Sequence, residues 1–335
     1  MPGEIGPERF GEVLSPSPAS PLVKIPLAKR PWKIAVTPDG RQAYVTATGF
    51  NADDWRSGAV YVIDTATSLV TATIPIGLLE GGGQIAISLD GRYAYVPNWD
   101  DHSGSGVITV IDTATNTVAK NIPTDGGRTT RGIAFAPDGR RAYALVPKTE
   151  WGTPNVVCVI DTTTQAVTAR IDVTHDLKEI MITPDGRHAY VSISYDPTAL
   201  IDLSTSEVSF LPANVFVYGW YKMAIASDSP RGYLFHEDGA GVSLVDLDTH
   251  QRTVAWATAG RPTDVAITPD GRHVYVTQAS GNGIADLWVI DTGTNQLFPC
   301  RTWSGDARSI SIAPNGLRAY VADGRERAVV VVPIA

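Results

Sequence analysis

The chain has no run of about 18 apolar residues, so the sequence predicts no segment that spans a bilayer. Its N-terminal stretch, MPGEIGPERFGEVLSPSPASP, contains acidic residues and prolines but no apolar core, which is unlike a secretory signal. We therefore expect a cytoplasmic protein that does not insert into membranes.

Basic charge is also scarce. The 335 residues include 27 Lys and Arg against 35 Asp and Glu, which gives a net charge of −8. A protein that binds nucleic acid or an anionic membrane surface needs a basic surface that releases counterions. The composition therefore argues against both partners, while a hydrophobic fraction of 43% is enough for a sizeable core.

Familiar catalytic and cofactor motifs are missing. The sequence has no Gly-x-Ser-x-Gly, no His-Glu-x-x-His, no Cys-x-x-Cys pair and no phosphate-binding glycine-rich loop before a helix. We therefore expect no bound cofactor. Carboxylates and histidines from separate parts of the chain could still converge on Ca²⁺ or Mg²⁺, because ligands that are distant in sequence leave no spacing pattern.

What the chain does contain is a sevenfold repeat of an apolar strand, a tight turn and a second strand centred on tyrosine. The copies read AVTPDGRQAYVT, AISLDGRYAYVP, AFAPDGRRAYAL, MITPDGRHAYVS, AIASDSPRGYLF, AITPDGRHVYVT and SIAPNGLRAYVA. Their tyrosines are Tyr44, Tyr95, Tyr143, Tyr190, Tyr233, Tyr275 and Tyr320. Steps of 42 to 51 residues between them are typical of a solenoid, an array or a propeller.

Each repeat divides into four predicted strands, which are rich in Val, Ile, Thr and Tyr and are bounded by turn residues. The Asp-Gly of the first turn supplies the positive φ of a tight hairpin. The Asp-Thr of the second turn provides short side chains that bond their own backbone. The carboxylates of the first turn are therefore interpreted as turn-forming rather than catalytic: Asp39, Asp138, Asp185 and Asp270.

The last repeat ends after its third strand, RAVVVVPIA, and the segment SPLVKIPLAKR before the first repeat supplies the missing fourth. This exchange closes the ring without an open sheet edge. The sequence thus predicts an all-β, seven-bladed β-propeller with four-stranded blades over residues 19–335, preceded by an arm over residues 1–18. Such a ring holds Cys158 and Cys300 far apart, so we expect two free, mostly buried thiols.

The signatures IAVTPDGRQAYVT and VYVIDTAT resemble the YVTN family of β-propeller repeats, and the resemblance covers nearly all of residues 20–335. It implies the propeller fold. It implies almost no chemistry, because the family includes enzymes, surface proteins and propellers attached to redox domains.

Aromatic residues concentrate on the propeller face that carries the long loops between second and third strands. They are Trp32, Trp55, Trp99, Trp151, Trp220, Tyr195, Tyr218 and Tyr221. Exposed aromatics on one surface indicate a ligand, a partner or mutual packing of the loops, and the sequence leaves these alternatives open.

A second signal comes from the residue just before each inner strand, which should lie at the mouth of the central channel. This first column reads Lys33, Gln84, Gly132, Glu179, Lys222, Asp264 and Ser309. The residue before it gives a second column, which reads Trp32, Gly83, Arg131, Lys178, Tyr221, Thr263 and Arg308. A scaffold position would repeat one residue type. These columns vary, so they predict either a solvated ring of ion pairs or a convergent polar site beneath an aromatic cup.

The favoured hypothesis is a small-molecule enzyme that uses acid–base chemistry of the lyase, cyclase or lactone-hydrolase type. Its candidate catalytic residues are Glu179, His175, Arg131, Lys222, His236 and Tyr221. Its candidate substrate-binding residues are Trp32, Lys33, Trp55, Gln84, Trp99, Trp151, Tyr195, Trp220, Asp264 and Arg308. Glu179 or His175 would act as the base, and the cations would stabilise developing negative charge.

The alternative hypothesis is a non-catalytic binding or assembly module that docks a protein or a glycan on the aromatic face. Propellers often have this role, and the missing catalytic motifs favour it. A deep funnel that reaches Glu179 would favour the enzyme, whereas a surface of packed loops would favour the binding module.

Overall fold

A computed structural model of the protein describes residues 21–49, 57–79, 83–100, 103–124, 131–147, 154–173, 176–193, 197–211, 220–236, 241–258, 260–280 and 282–334. These residues form seven four-stranded antiparallel sheets, which are the blades of a seven-bladed β-propeller. The predicted fold class is therefore confirmed. The arm predicted over residues 1–18 lies outside the described residues.

The first three blades each take four consecutive strands, from the inner strand to the outer one. Blade one comprises β2 (Arg30–Val36), β3 (Gln42–Thr48), β4 (Gly58–Asp64) and β5 (Leu69–Ile76). Blade two comprises β6 (Ala86–Ile87), β7 (Tyr93–Asp100), β8 (Ser105–Asp112) and β9 (Thr117–Pro123). Blade three comprises β10 (Ile133–Phe135), β11 (Arg141–Val146), β12 (Asn155–Asp161) and β13 (Ala166–Val173).

The next three blades follow the same order. Blade four comprises β14 (Leu177–Ile182), β15 (His188–Ile193), β16 (Ala199–Asp202) and β17 (Val208–Phe210). Blade five comprises β18 (Trp220–Ile225), β19 (Arg231–His236), β20 (Val242–Asp246) and β21 (Gln251–Trp256). Blade six comprises β22 (Arg261–Ile267), β23 (His273–Ser280), β24 (Ile284–Asp291) and β25 (Gln296–Ser304).

Blade seven joins the two ends of the propeller. It comprises β26 (Ala307–Ile312), β27 (Arg318–Asp323), β28 (Ala328–Pro333) and, as its outer strand, β1 (Val23–Pro26). β1 runs antiparallel to β28 and pairs Ile25 with Val329. The inner strand β26 contacts β2 of blade one. The predicted closure by the N-terminal strand is therefore confirmed.

The repeated tyrosines are core residues, because each lies on the second strand of its blade with at most 4% of its surface exposed. The hydroxyl groups of Tyr44, Tyr190 and Tyr275 tie one blade to the next. The hydroxyl of Tyr44 donates to Oδ1 of Asn116 in blade two, and that of Tyr190 donates to the carbonyl of Leu247 in blade five. The apolar core is likewise divided among the interfaces between neighbouring blades.

The turn carboxylates have the structural role that the repeats predicted. In the first turn of blade one, Asp39 accepts hydrogen bonds from the hydroxyl of Thr37 at 2.6 Å and the backbone N–H of Arg41 at 3.0 Å. Gly40 between them has φ of +72°, which glycine adopts at no steric cost. Asp138, Asp185 and Asp270 accept the corresponding backbone bond from Arg140, Arg187 and Arg272.

Both cysteines are free, with Cys158 buried and Cys300 half-buried. The structural environment of Cys300 raises its pKa to about 11, chiefly through burial. Over the described ranges, no helix is long and apolar enough to cross a membrane.

Candidate functional site

The site lies where the inner strands begin, and a β-bulge recurs there in five blades. The register of the first two strands shifts between Pro31 and Lys33, and at the same position of blades four, five, six and seven. The extra residue of each bulge is the second-column residue: Trp32, Lys178, Tyr221, Thr263 or Arg308. A bulge redirects side chains out of the regular alternation. Both columns therefore reach the channel mouth.

Asp264 is the centre of the deeper layer. Its side chain is 1% exposed and lies between two ammonium groups, with Nζ of Lys33 3.8 Å from Oδ2 and Nζ of Lys222 4.0 Å from Oδ1. The backbone N–H groups of Val265 and Ile310 also donate to its two oxygens. Burial alone would raise the pKa of Asp264, but Lys33 and Lys222 outweigh burial and hold the pKa below its ordinary value.

Glu179 is the other buried carboxyl group of this layer, with 4% of its surface exposed. Nε2 of Gln84 donates to its Oε2 at 2.8 Å, which links blade two to blade four across the channel. Burial raises the pKa of Glu179, although Lys222 and Lys33 partly oppose this effect. A carboxyl group with a raised pKa can exchange a proton near neutral pH, as a general acid or base must.

The two lysines are perturbed in opposite directions. Burial lowers the pKa of Lys33, Asp264 opposes that effect, and the ammonium of Lys222 reinforces it. Burial also disfavours the charged form of Lys222, but Asp264 and Glu179 overcome it and raise the pKa of Lys222. The surroundings therefore favour the charged forms of Asp264 and Lys222 and the neutral forms of Lys33 and Glu179.

An upper layer surrounds Trp32, whose Nε1 donates to Oγ1 of Thr48 at 2.8 Å. The guanidinium carbon of Arg308 lies 3.8 Å from the centre of the indole ring, a cation–π contact. Asp306 binds Nε of Arg308 at 2.9 Å and Nη2 of Arg30 at 3.2 Å. Arg308 is therefore held flat against Trp32 by one carboxylate and one ring.

Blades three and four contribute a second cluster of the same kind. Asp176 lies between Nη1 of Arg131 at 3.1 Å and Nζ of Lys178 at 2.9 Å. Arg131 also donates to the backbone carbonyl of Leu177. One carboxylate again neutralises only one of two cations.

These layers enclose a cavity of about 530 Å³ at the channel mouth. It is lined by Trp32, Lys33, Gln84, Arg131, Lys178, Glu179, Phe235, Arg261, Pro262, Thr263, Asp306 and Arg308. Cationic side chains outnumber carboxyl groups among them. The cavity thus combines a positive lining, one aromatic wall and, at Glu179, a carboxyl group that can transfer a proton.

A second cavity of about 600 Å³ lies beside the first, and Asp306 lines both. Arg30, which is paired with Asp306, lines the second cavity. Arg325 and Arg327 also line it. This part of the propeller therefore presents positive charge although the whole chain has a net charge of −8. Such a local field raises the concentration of anions near the cavities.

The structure brings together most of the described residues that the sequence singled out. The cavity is lined by Trp32, Lys33, Gln84, Arg131, Glu179 and Arg308, and Asp264 lies within 4.0 Å of the ammonium groups of both Lys33 and Lys222. Their layer is buried, unlike the solvated ring that the sequence left open. Trp99 is half-buried on β7 and does not line the cavity. Its backbone N–H donates to the carbonyl of Leu78.

Other predicted positions cannot be placed. Trp55, Trp151, His175, Tyr195 and Tyr218 lie outside the described residues. Trp220, Tyr221 and His236 lie on described strands, with Trp220 paired to His236, but their side chains are outside the described part. Among the described residues, no group of three or more His, Cys, Asp or Glu is arranged to hold a metal ion.

Sequence reasoning missed Asp306, Asp176 and Arg30 as a set, and a simple signal would have found them. They occupy one column, three residues before Ser309, Glu179 and Lys33, and Arg261 holds the same place before Asp264. This column lies two positions before the second column, and two of its residues, Arg261 and Asp306, line the cavity. Phe235 also lines the cavity, and its place on β19 gave no polar signal.

Comparison with known proteins supports the fold. No protein-family model matches this chain. The chain is 30% identical over 138 residues to the seven-bladed β-propeller protein Rv1057 of Mycobacterium tuberculosis, a match that covers 39% of this chain and 34% of that protein. The propeller is also similar to Kuenenia stuttgartiensis hydrazine synthase, with a TM-score of 0.65 and 17% identity over 93% of this chain and 97% of that one. That identity is evidence for the fold alone: the chain is similar to other seven-bladed β-propellers.

Proposed function

We propose that this protein is an enzyme that carries out acid–base chemistry on a small carboxylate-bearing molecule in the cavity at the channel mouth. The reaction is of the lyase, cyclase or lactone-hydrolase type that the sequence suggested. The assignment of the repeats to the YVTN type is part of the same proposal, and it rests on the PDG and Ala-Tyr-Val signatures.

The observation that carries the proposal is the threefold recurrence of one carboxylate between two cations. Asp264 lies between Lys33 and Lys222, Asp306 between Arg30 and Arg308, and Asp176 between Arg131 and Lys178. In each group two basic side chains share this one carboxylate. An anion in the cavity would bind beside Arg308 and Arg131, because a planar carboxylate matches the fork of a guanidinium.

Glu179 supplies the proton transfer in this proposal. Burial raises its pKa and so favours the protonated form over that of an ordinary glutamate, and Gln84 fixes one of its oxygens. The ammonium of Lys222 and the guanidinium of Arg131 would stabilise negative charge that develops on the substrate. The wall of Trp32 and Phe235 would exclude water from the reacting atoms.

The binding-module alternative depended on an aromatic surface. Of its tryptophans, only Trp32 and Trp99 have side chains in the described part of the chain, and only Trp32 lines the cavity. The docking of a protein or a glycan on the aromatic face therefore stays a prediction, because most of that face lies outside the described residues.

Ligand binding is tested by thermal melting at low ionic strength with a panel of small carboxylates and with neutral amides of the same size. We expect carboxylates to raise the melting temperature and amides to have no effect. Arg308→Met should remove the stabilisation. Arg318→Met is the matched control. Arg318 lies at the start of β27, outside the cavity, and its Nη1 donates to the carbonyl of Thr65. Equal responses to amides and carboxylates would refute an anion pocket.

Catalysis is tested by NMR on the carboxylates that bind, in D₂O, where proton transfer to or from carbon appears as deuterium incorporation. The Glu179→Gln variant keeps the shape of the side chain and the bond to Gln84 but cannot transfer a proton. We expect it to bind the same ligands and to lose exchange and turnover. Unchanged exchange in that variant would remove Glu179 from the mechanism, whereas no exchange in the parent protein would leave a binding module.

A further inference from the structure

Lys33 differs from the other lysines that approach the cavity. Its side chain is 17% exposed, and its nearest carboxylate oxygen is 3.8 Å away, longer than an ordinary hydrogen bond. Lys178 lines the same cavity but is 29% exposed and is bound to Asp176 at 2.9 Å. Lys33 is thus a cavity-lining amine that is weakly held by its counter-ion.

The burial of Lys33 favours the neutral amine, although the carboxyl groups of Asp264 and Glu179 oppose this effect. Asp264 is shared with Lys222 and already accepts two backbone hydrogen bonds, so it compensates one ammonium rather than two. Burial and the neighbouring ammonium of Lys222 lower the pKa of Lys33 against the opposing effect of Asp264. A desolvated lysine beside a second cation is a recognised arrangement for an amine that attacks carbonyl groups.

We propose that Lys33 is an amine nucleophile that condenses with the carbonyl group of a small oxo acid to form an imine in the cavity. This inference rests on the proposed function, because it takes the same cavity and the same anionic ligand. It adds the substrate class, a carboxylate with a carbonyl carbon close to it, and a covalent intermediate.

The step balances with groups that are present. The lone pair of Nζ forms the bond to the carbonyl carbon, and the carbonyl oxygen takes a proton from protonated Glu179. A proton that leaves the nitrogen reaches the same oxygen through the Glu179 carboxylate, and water departs. The products are an iminium ion, one water molecule and ionised Glu179, so no oxidant or further reactant is needed. The raised pKa of Glu179 suits the protonated starting state.

A carboxylate partner lies on the same side of the cavity. Nη1 of Arg308 is buried, and no atom of the described residues accepts a hydrogen bond from it. Arg308 stacks on Trp32, the residue that precedes Lys33. An oxo acid could therefore place its carboxylate on Arg308 and its carbonyl carbon towards Lys33.

The test is reductive trapping with pyruvate and sodium cyanoborohydride at pH 7, followed by intact mass and peptide mapping. We expect a single reduced adduct on Lys33. Labelling should fall at least about ten-fold in Lys33→Met, because an ordinary lysine amine is almost fully protonated at pH 7 and attacks carbonyl groups poorly. Lys120→Met is the matched control and should retain the adduct, because Nζ of Lys120 donates to the carbonyl of Thr164 on the surface, outside the cavity. Adducts spread over several lysines, or an adduct that persists in Lys33→Met, would overturn the proposal.

Two further variants keep the test decisive if Lys33→Met folds poorly. Lys33→Gln keeps a neutral polar side chain beside Asp264 but cannot form an imine, so it should fold like the parent and give no adduct. Lys222→Met removes the ammonium that lowers the pKa of Lys33, so that pKa should rise. The pH at which trapping reaches half of its maximum should then be higher. An unchanged pH midpoint in that variant would contradict the role of the second cation.

Lactate separates the two proposals, because it carries the carboxylate but no carbonyl. If lactate and pyruvate both raise the melting temperature and pyruvate forms no adduct, the imine is wrong and the anion pocket stands. If neither ligand stabilises the protein and no adduct forms, both proposals fail.

Discussion

Asp264 gives the most direct test of the charge network, because a single change leaves two ammonium groups without their carboxylate. In Asp264→Asn, Lys33 and Lys222 would face a neutral amide at a position that is 1% exposed. Breaking a buried ion pair by removing one partner costs about 3–5 kcal/mol. The lower end applies here, since both lysines keep some exposure.

That cost translates into a measurable melting shift. With an unfolding entropy of about 2.1 cal/mol/K per residue, the 335 residues give about 0.7 kcal/mol/K. A loss of about 3 kcal/mol should then lower the melting temperature by about 4 °C at pH 7. Asp286→Asn is the matched control, because Asp286 lies in the same blade and accepts one bond from Thr302 without an ion pair. A variant at Asp264 that melts with the parent would refute the reasoning.

The pH dependence of the shift has a defined sign. The folded pKa of Asp264 lies below its unfolded value, so its stabilising effect is complete above about pH 4 and is lost as the pH falls through the lower folded pKa. The Asn variant does not titrate at this position. The difference in melting temperature between the two proteins should therefore be constant near neutrality and should shrink in acid.

Three other predictions concern the scaffold. Ile25 on β1 is 2% exposed, so Ile25→Ala should lower the free energy of unfolding in chemical denaturation by about 2–4 kcal/mol. Val23 on the same strand is 47% exposed, so Val23→Ala should lower it little. Equal effects would mean that β1 is not docked. Tyr44→Phe should cost about 1 kcal/mol by removing the bond to Asn116, whereas Tyr233→Phe should be neutral, because no described atom partners the hydroxyl of Tyr233. Cys300, with a pKa of about 11, should alkylate with iodoacetamide far more slowly at pH 8 than a free thiol; rapid labelling would contradict its burial.

The repeat made the scaffold and part of the site predictable for one physical reason. Identical blades place the same register position at the same height of the channel. Lys33, Gln84, Glu179 and Asp264 could therefore be grouped by alignment, although they lie far apart in sequence.

The rest could not be read from the sequence because it depends on geometry that the repeat does not encode. The bulges that turn both columns towards the channel have no distinctive residue type. The pKa of Lys33 is lowered and that of Lys222 is raised, because the two side chains differ in burial and share Asp264. Neither burial nor this sharing can be seen in the sequence. The aromatic loops do not follow the repeat at all, so their predicted cup stays a prediction.

Closure of the ring by β1 has a consequence for how the protein is made. Lys24 on β1 binds Glu326 from 302 residues away, so β1 has no partner until almost the whole chain has left the ribosome. At a synthesis rate of about 5–20 residues per second, that delay lasts roughly 15–60 s. During it, an unpaired strand could join a neighbouring nascent chain. A strand of only four residues that carries a lysine and ends in proline is a poor template for such pairing. The short β1 therefore limits aggregation between nascent chains on one messenger RNA.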